Sequence, residues 1–289
     1  MLSLVSVCEF IPNSSVFHSS KMEDCLPKST DEWTIAELAR YNIRVEYQDA
    51  TTFFGVPHLP DPVLTSDDVL QATDFDQATT DDGFAFLFGL SLVMSPDAKR
   101  NEESAFHDFV RVLFRSCGYT GAASRRFTRT KMGICSKAWD GDKHTKVDAC
   151  ILNDKRETIL VVQENKWRFD YDLSDPEPQL IAKAITAFDN NKDIFWPGEP
   201  ILPLPRSSES KLMTGITFTG TFPTFYKIPV SEDLFAVTNR GQPPGQETVV
   251  HAHIPVVPRH DLRWSEGMMA LDNRKIIFSC FEAFKKFVN

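Results

Sequence analysis

The sequence holds no apolar run approaching the roughly 18 residues that a membrane-spanning helix needs; even the apolar start from Met1 to Val7 ends at Glu9. That start also lacks the basic residues and small-residue cleavage site of a secretory signal, so an intracellular protein, cytoplasmic or nuclear, is expected. The six cysteines, Cys8, Cys25, Cys117, Cys135, Cys150 and Cys280, form no C-x-x-C pair. A zinc ribbon and a dithiol redox motif are thereby excluded. Cys150 in VDACIL and Cys280 in IIFSCF sit in apolar surroundings and are expected to behave as small hydrophobes in a reducing compartment. There is no G-x-x-x-x-G-K loop to cradle phosphates, and neither Ser136 nor Ser279 lies in a G-x-S-x-G turn. A basic excess is missing as well: the net charge of −9 argues against coating nucleic acid by bulk electrostatics, so any phosphate contact must be local.

What is present is a chain of 289 residues with 42% hydrophobic content, enough for a sizeable core. The expected organisation is an N-terminal extension (1–99), a core (100–235) and a C-terminal strand and helix (236–289), together one compact unit. In the first part TDEWTIAELARY reads as a helix capped by Thr30 or Asp31. YNIRVEYQDATTFFG reads as extended, and LPDPVLTSDDVLQATDFDQATTDDG as an acidic surface connection with at most a short helix. From Asn101 the pattern sharpens: Phe106, Phe109, Val110, Leu113, Phe114 and Cys117 share one helical face, and Gly118 supplies the stop.

ASRRFTRTKMGICSKAW fits one or two strands, and HTKVDACILN and TILVVQENKW are strands joined by the turn NDKRE. QLIAKAITAFDNN has a helical period, KLMTGITFTG and TFPTFYKIPV read as strands, and WPGEPILPLPRSSES between them as a loop. ETVVHAHIPVVP reads as a strand pushed towards a sheet edge by Pro255 and Pro258, and a last amphipathic helix runs from Asp272 to Phe284. The order implies an α+β or mixed α/β fold.

A turn centred near Arg156 would set Asp148 directly across from Glu164, with their Cβ atoms about 5 Å apart. Two opposed carboxylates in otherwise apolar strands repel, and a divalent cation between them removes the conflict. Lys166, two residues beyond Glu164, shares its face. Two carboxylates, the backbone carbonyl of Asn165 and waters suit Mg²⁺ or Mn²⁺. Between Ser124 and Val147 seven basic residues (Arg125, Arg126, Arg129, Lys131, Lys137, Lys143, Lys146) stand against two acidic ones, Asp140 and Asp142; the run is either a solvated strand face or a phosphate contact.

Helix NEESAFHDFVRVLFRSCGY, basic strands, VDACILN, a turn, LVVQENKW and helix PQLIAKAITAF, taken in order, resemble the PD-(D/E)xK, or restriction-endonuclease-like, nuclease superfamily, and most of all its divergent fungal members. The resemblance covers residues 100–230. It implies a core with a central mixed β-sheet flanked by helices, and metal-dependent phosphodiester hydrolysis of DNA or RNA. By its motif, Asp148 and Glu164 are the metal-binding acids and Lys166 the lysine that positions the attacking water. Val147 stands where the motif name has proline. The first helix of many members adds an acid, for which Glu103 and Glu102 are both open, and Gln179 resembles the glutamine of the Q-x-x-x-Y helix, although Lys183 replaces its tyrosine. Arg125, Arg126, Arg129, Lys131 and Lys146 would contact the nucleic-acid backbone. A homodimer or a protein partner is compatible with this reading, and the alternative is a catalytically silent module of the same scaffold that binds a protein or nucleic acid. His251, His253 and His260 read as ordinary polar residues rather than metal ligands, and Trp167 and Phe169 as core.

Overall fold

Two successive S/T-x-x-E patterns, Ser29 to Glu32 and Thr34 to Glu37, open the part of the chain that a computed structural model describes, namely residues 28–95, 103–135, 144–165, 175–192 and 210–288. The first closes a single 3-10 turn, Thr30–Glu32. The second caps the helix proper, α1 (Ile35–Arg40): the Thr34 hydroxyl accepts from the Ala36 amide and the Glu37 carboxylate accepts from the Thr34 amide. The helix therefore begins at Thr34, not at the expected Thr30 or Asp31, because the second capping box follows directly on the first.

The strands are β1 (Ile43–Tyr47), β2 (Phe127–Cys135), β3 (His144–Leu152), β4 (Thr158–Asn165), β5 (Lys211–Thr219), β6 (Phe222–Val230) and β7 (Thr248–His253). They form one sheet in the order β1-β7-β6-β5-β4-β3-β2. The β1/β7 and β4/β5 pairs are parallel and the remaining neighbours antiparallel. The other helices are α2 (Ala50–Phe54), α3 (Asp68–Gln71), α4 (Asp81–Met94), α5 (Glu103–Ser116), α6 (Pro176–Lys192), α7 (Glu232–Asn239), α8 (Arg263–Glu266) and α9 (Leu271–Phe284). This is a mixed α/β fold with a central sheet flanked by helices.

Each sheet face has its own core. On one, α4, α5 and α9 bring Phe86, Phe109, Leu113, Phe278 and Phe281 onto Ile216, Phe218 and Phe225. On the other, Leu180, Ile181 and Ile185 of α6 cover Val161, Ile228 and Val230. Helix α6 is the crossover that a parallel β4/β5 pair requires. It lies so close that a Cβ on Gly215 would stand 2.8 Å from a Leu180 methyl, so any larger residue there would have to displace the Leu180 side chain. At the end of α5, Gly118 adopts φ +70°, the left-handed stop read from the sequence.

Several elements depart from expectation. Only Ile43–Tyr47 of the segment read as extended is strand; Asp49 then caps α2 by accepting from the Thr52 amide, and Gly55 ends it at φ +63°. Helix α4 was not expected at all. GFAFLFGLSLVM is apolar nearly all round and so lacks the 3.6-residue alternation that betrays a surface helix. Helix α7, capped by the Ser231 hydroxyl, was also missed. β7 is not an edge strand: Pro255 and Pro258 lie beyond its end at His253, and β1 takes the edge. The expected proline-rich loop 196–210 lies, except for its last residue, outside the described residues.

Candidate active site

The turn joining β3 and β4 is centred on Lys155, one residue earlier than the expected Arg156. The Asn153 amide donates to Glu157 O (3.1 Å) and the Arg156 amide to Asn153 O (3.0 Å), with Arg156 in the left-handed region at φ +64°. A bulge between Ile151 and Leu152 shifts the register once more, and the ladder runs Ile151↔Leu160, Cys150↔Val161, Ala149↔Val162. Continued, it would set Gln163, not Glu164, across from Asp148. The expected opposition of the two acids is thus corrected, because a bulge changes the count by one and one residue exchanges the faces.

What occurs instead is a parting of the strands. Beyond Ala149↔Val162 the described ladder stops, and the Glu164 amide donates to Asp148 Oδ2 at 2.8 Å. The same rung is irregular on its other side. Lys131 has φ +50°, and the β2/β3 pairing skips from Thr130↔Ala149 to Met132↔Val147. Below that rung Ala149 and Ile151 pack on the α5 side; above it Val147, Met132 and Ile134 pack on the α6 side. Both strands therefore exchange faces at Lys131 and Asp148, which turns Asp148 from a ladder position into a bridge across the gap. Glu164 pairs with Phe218, which places it on the α5 face of β4.

The gap opens into a cleft of about 440 Å³ whose lining includes Lys131, Lys146, Asp148, Gln163, Gln179 and Lys183. Lys183 was seen in the sequence only as a departure from a tyrosine, yet it is the most deeply set cation of the cleft, 2% exposed. Its Nζ donates to Gln163 Oε1 at 2.6 Å and pairs with Asp31 Oδ1 at 2.8 Å. Gln179 Nε2 donates to Asp31 O at 3.0 Å, so both α6 side chains tie the 3-10 turn to the cleft. A lysine amid the small apolar residues of AKAITA was the available signal: such a group is buried only when it is paired.

Of the other expected site residues, Asn165 ends β4 opposite Thr219 and its side-chain amide donates to Thr219 Oγ1 at 3.4 Å. Lys131 and Lys146 both line the cleft. Arg129 is exposed on β2, Arg125 pairs with Asp154 at 2.9 Å, and Arg126 lies in a different groove. Glu103 opens α5. Lys166, Glu102, Trp167 and Phe169 lie outside the described residues. His253 is a packing residue: its Nδ1 meets Gln48 O at 2.9 Å and its ring lies against Phe53 and Phe54. Burial lifts the thiols of Cys150 and Cys280 to about 12, which suits their role as small hydrophobes.

No protein-family model and no curated protein matches the chain. Among the described residues no three His, Cys, Asp or Glu side chains are grouped to hold a metal ion.

Beside the cleft, Glu177 in the first turn of α6 is buried and accepts a hydrogen bond from the Tyr47 hydroxyl at 2.6 Å. Burial raises its pKa above the ordinary 4.5, against the lowering effect of that bond. The folded state therefore holds this proton longer than the unfolded chain does, and stability falls as pH rises from about 4.5 through the raised folded value. Glu177→Gln is expected to flatten that fall, measured as Tm against pH between about 4 and 8; an unchanged slope would show that Glu177 does not cause it.

Proposed function

We propose that the chain is a metal-dependent nuclease whose reaction takes place where β3 and β4 part. The observation that carries this reading is the bond between Asp148 Oδ2 and the Glu164 amide, at the mouth of a cleft whose cations are Lys131, Lys146 and Lys183. A neutral acceptor would cap that amide nearly as well, and a carboxylate set among lysines fits phosphate chemistry, which uses carboxylates and ammonium groups in one recess.

The donor set suits a hard cation. Asp148 and Glu164 supply carboxylate oxygens and Asn165 a carbonyl, and Mg²⁺ or Mn²⁺ is commonly held by one or two carboxylates with several waters. Asp31, the third acid lining the cleft, is taken up by Lys183, which leaves two carboxylates for an ion, and the absence of a three-residue cluster among the described residues is compatible with such a site. A bound ion would polarise the phosphoryl oxygen and lower the pKa of a coordinated water. The chain's own groups do the rest: Lys131 and Lys146 attract the phosphodiester, Lys183 holds Gln163 and Asp31 in place, and Lys166 is the residue to orient the attacking water. Cleavage of single- and double-stranded DNA and RNA with Mg²⁺ and with Mn²⁺ tests the reading. Activity that survives both Asp148→Ala and Lys166→Ala sinks it.

A further inference from the structure

Helix α4 is apolar nearly all round, yet it is covered on one side only. It buries Phe86, Leu87, Leu90 and Val93, while Phe84, Phe88 and Leu92 on its outer side are 49%, 40% and 39% exposed. A helix that is apolar all round is ordinarily buried all round, and contiguous exposed apolar surface marks a contact site. The repeated spacing of four sets these three side chains in a stripe about 12 Å long. The stripe is also held in shape. The Phe84 and Phe88 rings stack with centroids 5.5 Å apart, and Phe75, from the 3-10 turn Phe75–Gln77, meets both edge-on at 6.2 and 5.3 Å. Rings fixed in this way have already lost rotamer freedom that binding would otherwise cost.

The rim of the stripe is acidic. Asp81 lies on the same helical face, one turn before Phe84, and Asp74 and Asp76 flank Phe75; all three acids are exposed. Of the acids beside the stripe only Asp82 meets a cation among the described residues, Arg115 at 3.2 Å. The imbalance runs further, since from Val45 to Ala98 the sequence holds ten acids and no lysine or arginine. That field selects the occupant. Nucleic acid and an anionic membrane are repelled, and a second copy docked by the same stripe would set like charges against each other. An extended strand finds no free backbone on a helix to pair with, so the partner must satisfy its backbone bonds internally. We infer that the Phe84–Phe88–Leu92 face of α4 docks an amphipathic helix of a protein partner, with apolar side chains at helical spacing flanked by lysine or arginine. The apolar side chains pack on the rings at the centre, and the basic ones meet Asp74, Asp76 and Asp81 at the rim. The face lies on the α4 and α5 side of the sheet and shares no residue with the Asp148 cleft, so the inference stands apart from the nuclease reading.

The probes are two synthetic peptides of about 18 residues, long enough to form a helix, one built of Leu and Lys at helical spacing and the other with Glu in place of each Lys. Each carries a fluorophore and is titrated into the full chain. The basic peptide is expected to bind at least about tenfold more tightly than the acidic one and to gain helicity on binding by circular dichroism. Phe84→Ser with Phe88→Ser, at half-exposed positions, should weaken its binding about tenfold or more through faster dissociation. Asp76→Asn with Asp81→Asn, surface changes with little risk to folding, should slow association and flatten the dependence on salt. Asp233→Asn, exposed on α7 across the sheet, should bind as the parent does. Equal binding of the two peptides, parental affinity in either double variant, or no binding of the basic peptide at about 0.1 mM would overturn the proposal. So would self-association of the parent, or its binding to anionic vesicles, that disappears in the phenylalanine variant, because the face would then belong to a second copy or to a membrane.

Discussion

Asp148→Asn should lower metal-dependent cleavage by about 10²-fold or more while leaving Tm nearly unchanged. Asparagine keeps the shape of aspartate, and its Oδ1 can still accept the Glu164 amide proton that Asp148 Oδ2 accepts at 2.8 Å. The parting of β3 and β4 is then preserved, and what disappears is the negative charge. If that charge serves only to cap a strand, a neutral acceptor is nearly as good. If it binds a divalent cation, losing one of two anionic ligands weakens both the ion and the reaction. Paired measurements of cleavage rate and of Mn²⁺ affinity by calorimetry distinguish the two. Cleavage at the parental rate in Asp148→Asn, or a parental chain that neither cleaves nor binds millimolar Mn²⁺, excludes the proposed chemistry.

Arg274→Met should unfold more easily by about 3–5 kcal/mol, a drop in Tm on the order of 10 °C. Arg274 is fully buried in α9. Its Nε donates to Met268 O (2.7 Å), one terminal nitrogen to Val69 O (3.0 Å) and Ala72 O (2.8 Å), and the other to Met269 O (3.2 Å). Val69 lies in α3 and Ala72 caps it, so the guanidinium meets carbonyls at a helix C-terminus, where a cation is also favoured by the dipole. Burial pulls its pKa down to about 10, still far above neutrality, so the group stays charged. Methionine fills the volume but leaves these buried carbonyls without their donor, at about 1–3 kcal/mol each before relaxation. Arg274→Lys restores charge without the planar fork and should recover only part of the loss. A methionine variant as stable as the parent would show that the carbonyls find other partners.

The local chemistry of most elements was legible in the sequence. The apolar face of Phe106, Phe109, Val110 and Leu113 predicted α5, and β-branched runs on either side of NDKRE predicted β3 and β4. Periodicity failed where one-sidedness failed: α4 is apolar on nearly every side, and β7 was judged by prolines that lie past its end. At the cleft, Asp148 and Glu164 stood out in the sequence as acids within apolar strands, but their mutual placement was not legible. A turn centred one residue earlier and one bulge were enough to move Gln163 into the place assigned to Glu164.

Sequence alone therefore determined most of the segments that bury one face, because burial and capping are decided within a turn or two of chain. Tertiary structure decided the rest. That β1 and β7 extend the same sheet as the hairpin, that Lys183 reaches Gln163 and Asp31 from a helix, and that Asp148 bridges a gap rather than facing a partner depend on register and on contacts between distant segments. Those are set by the packing of two cores against one sheet, and a strand read alone carries no record of which residue its neighbour places opposite.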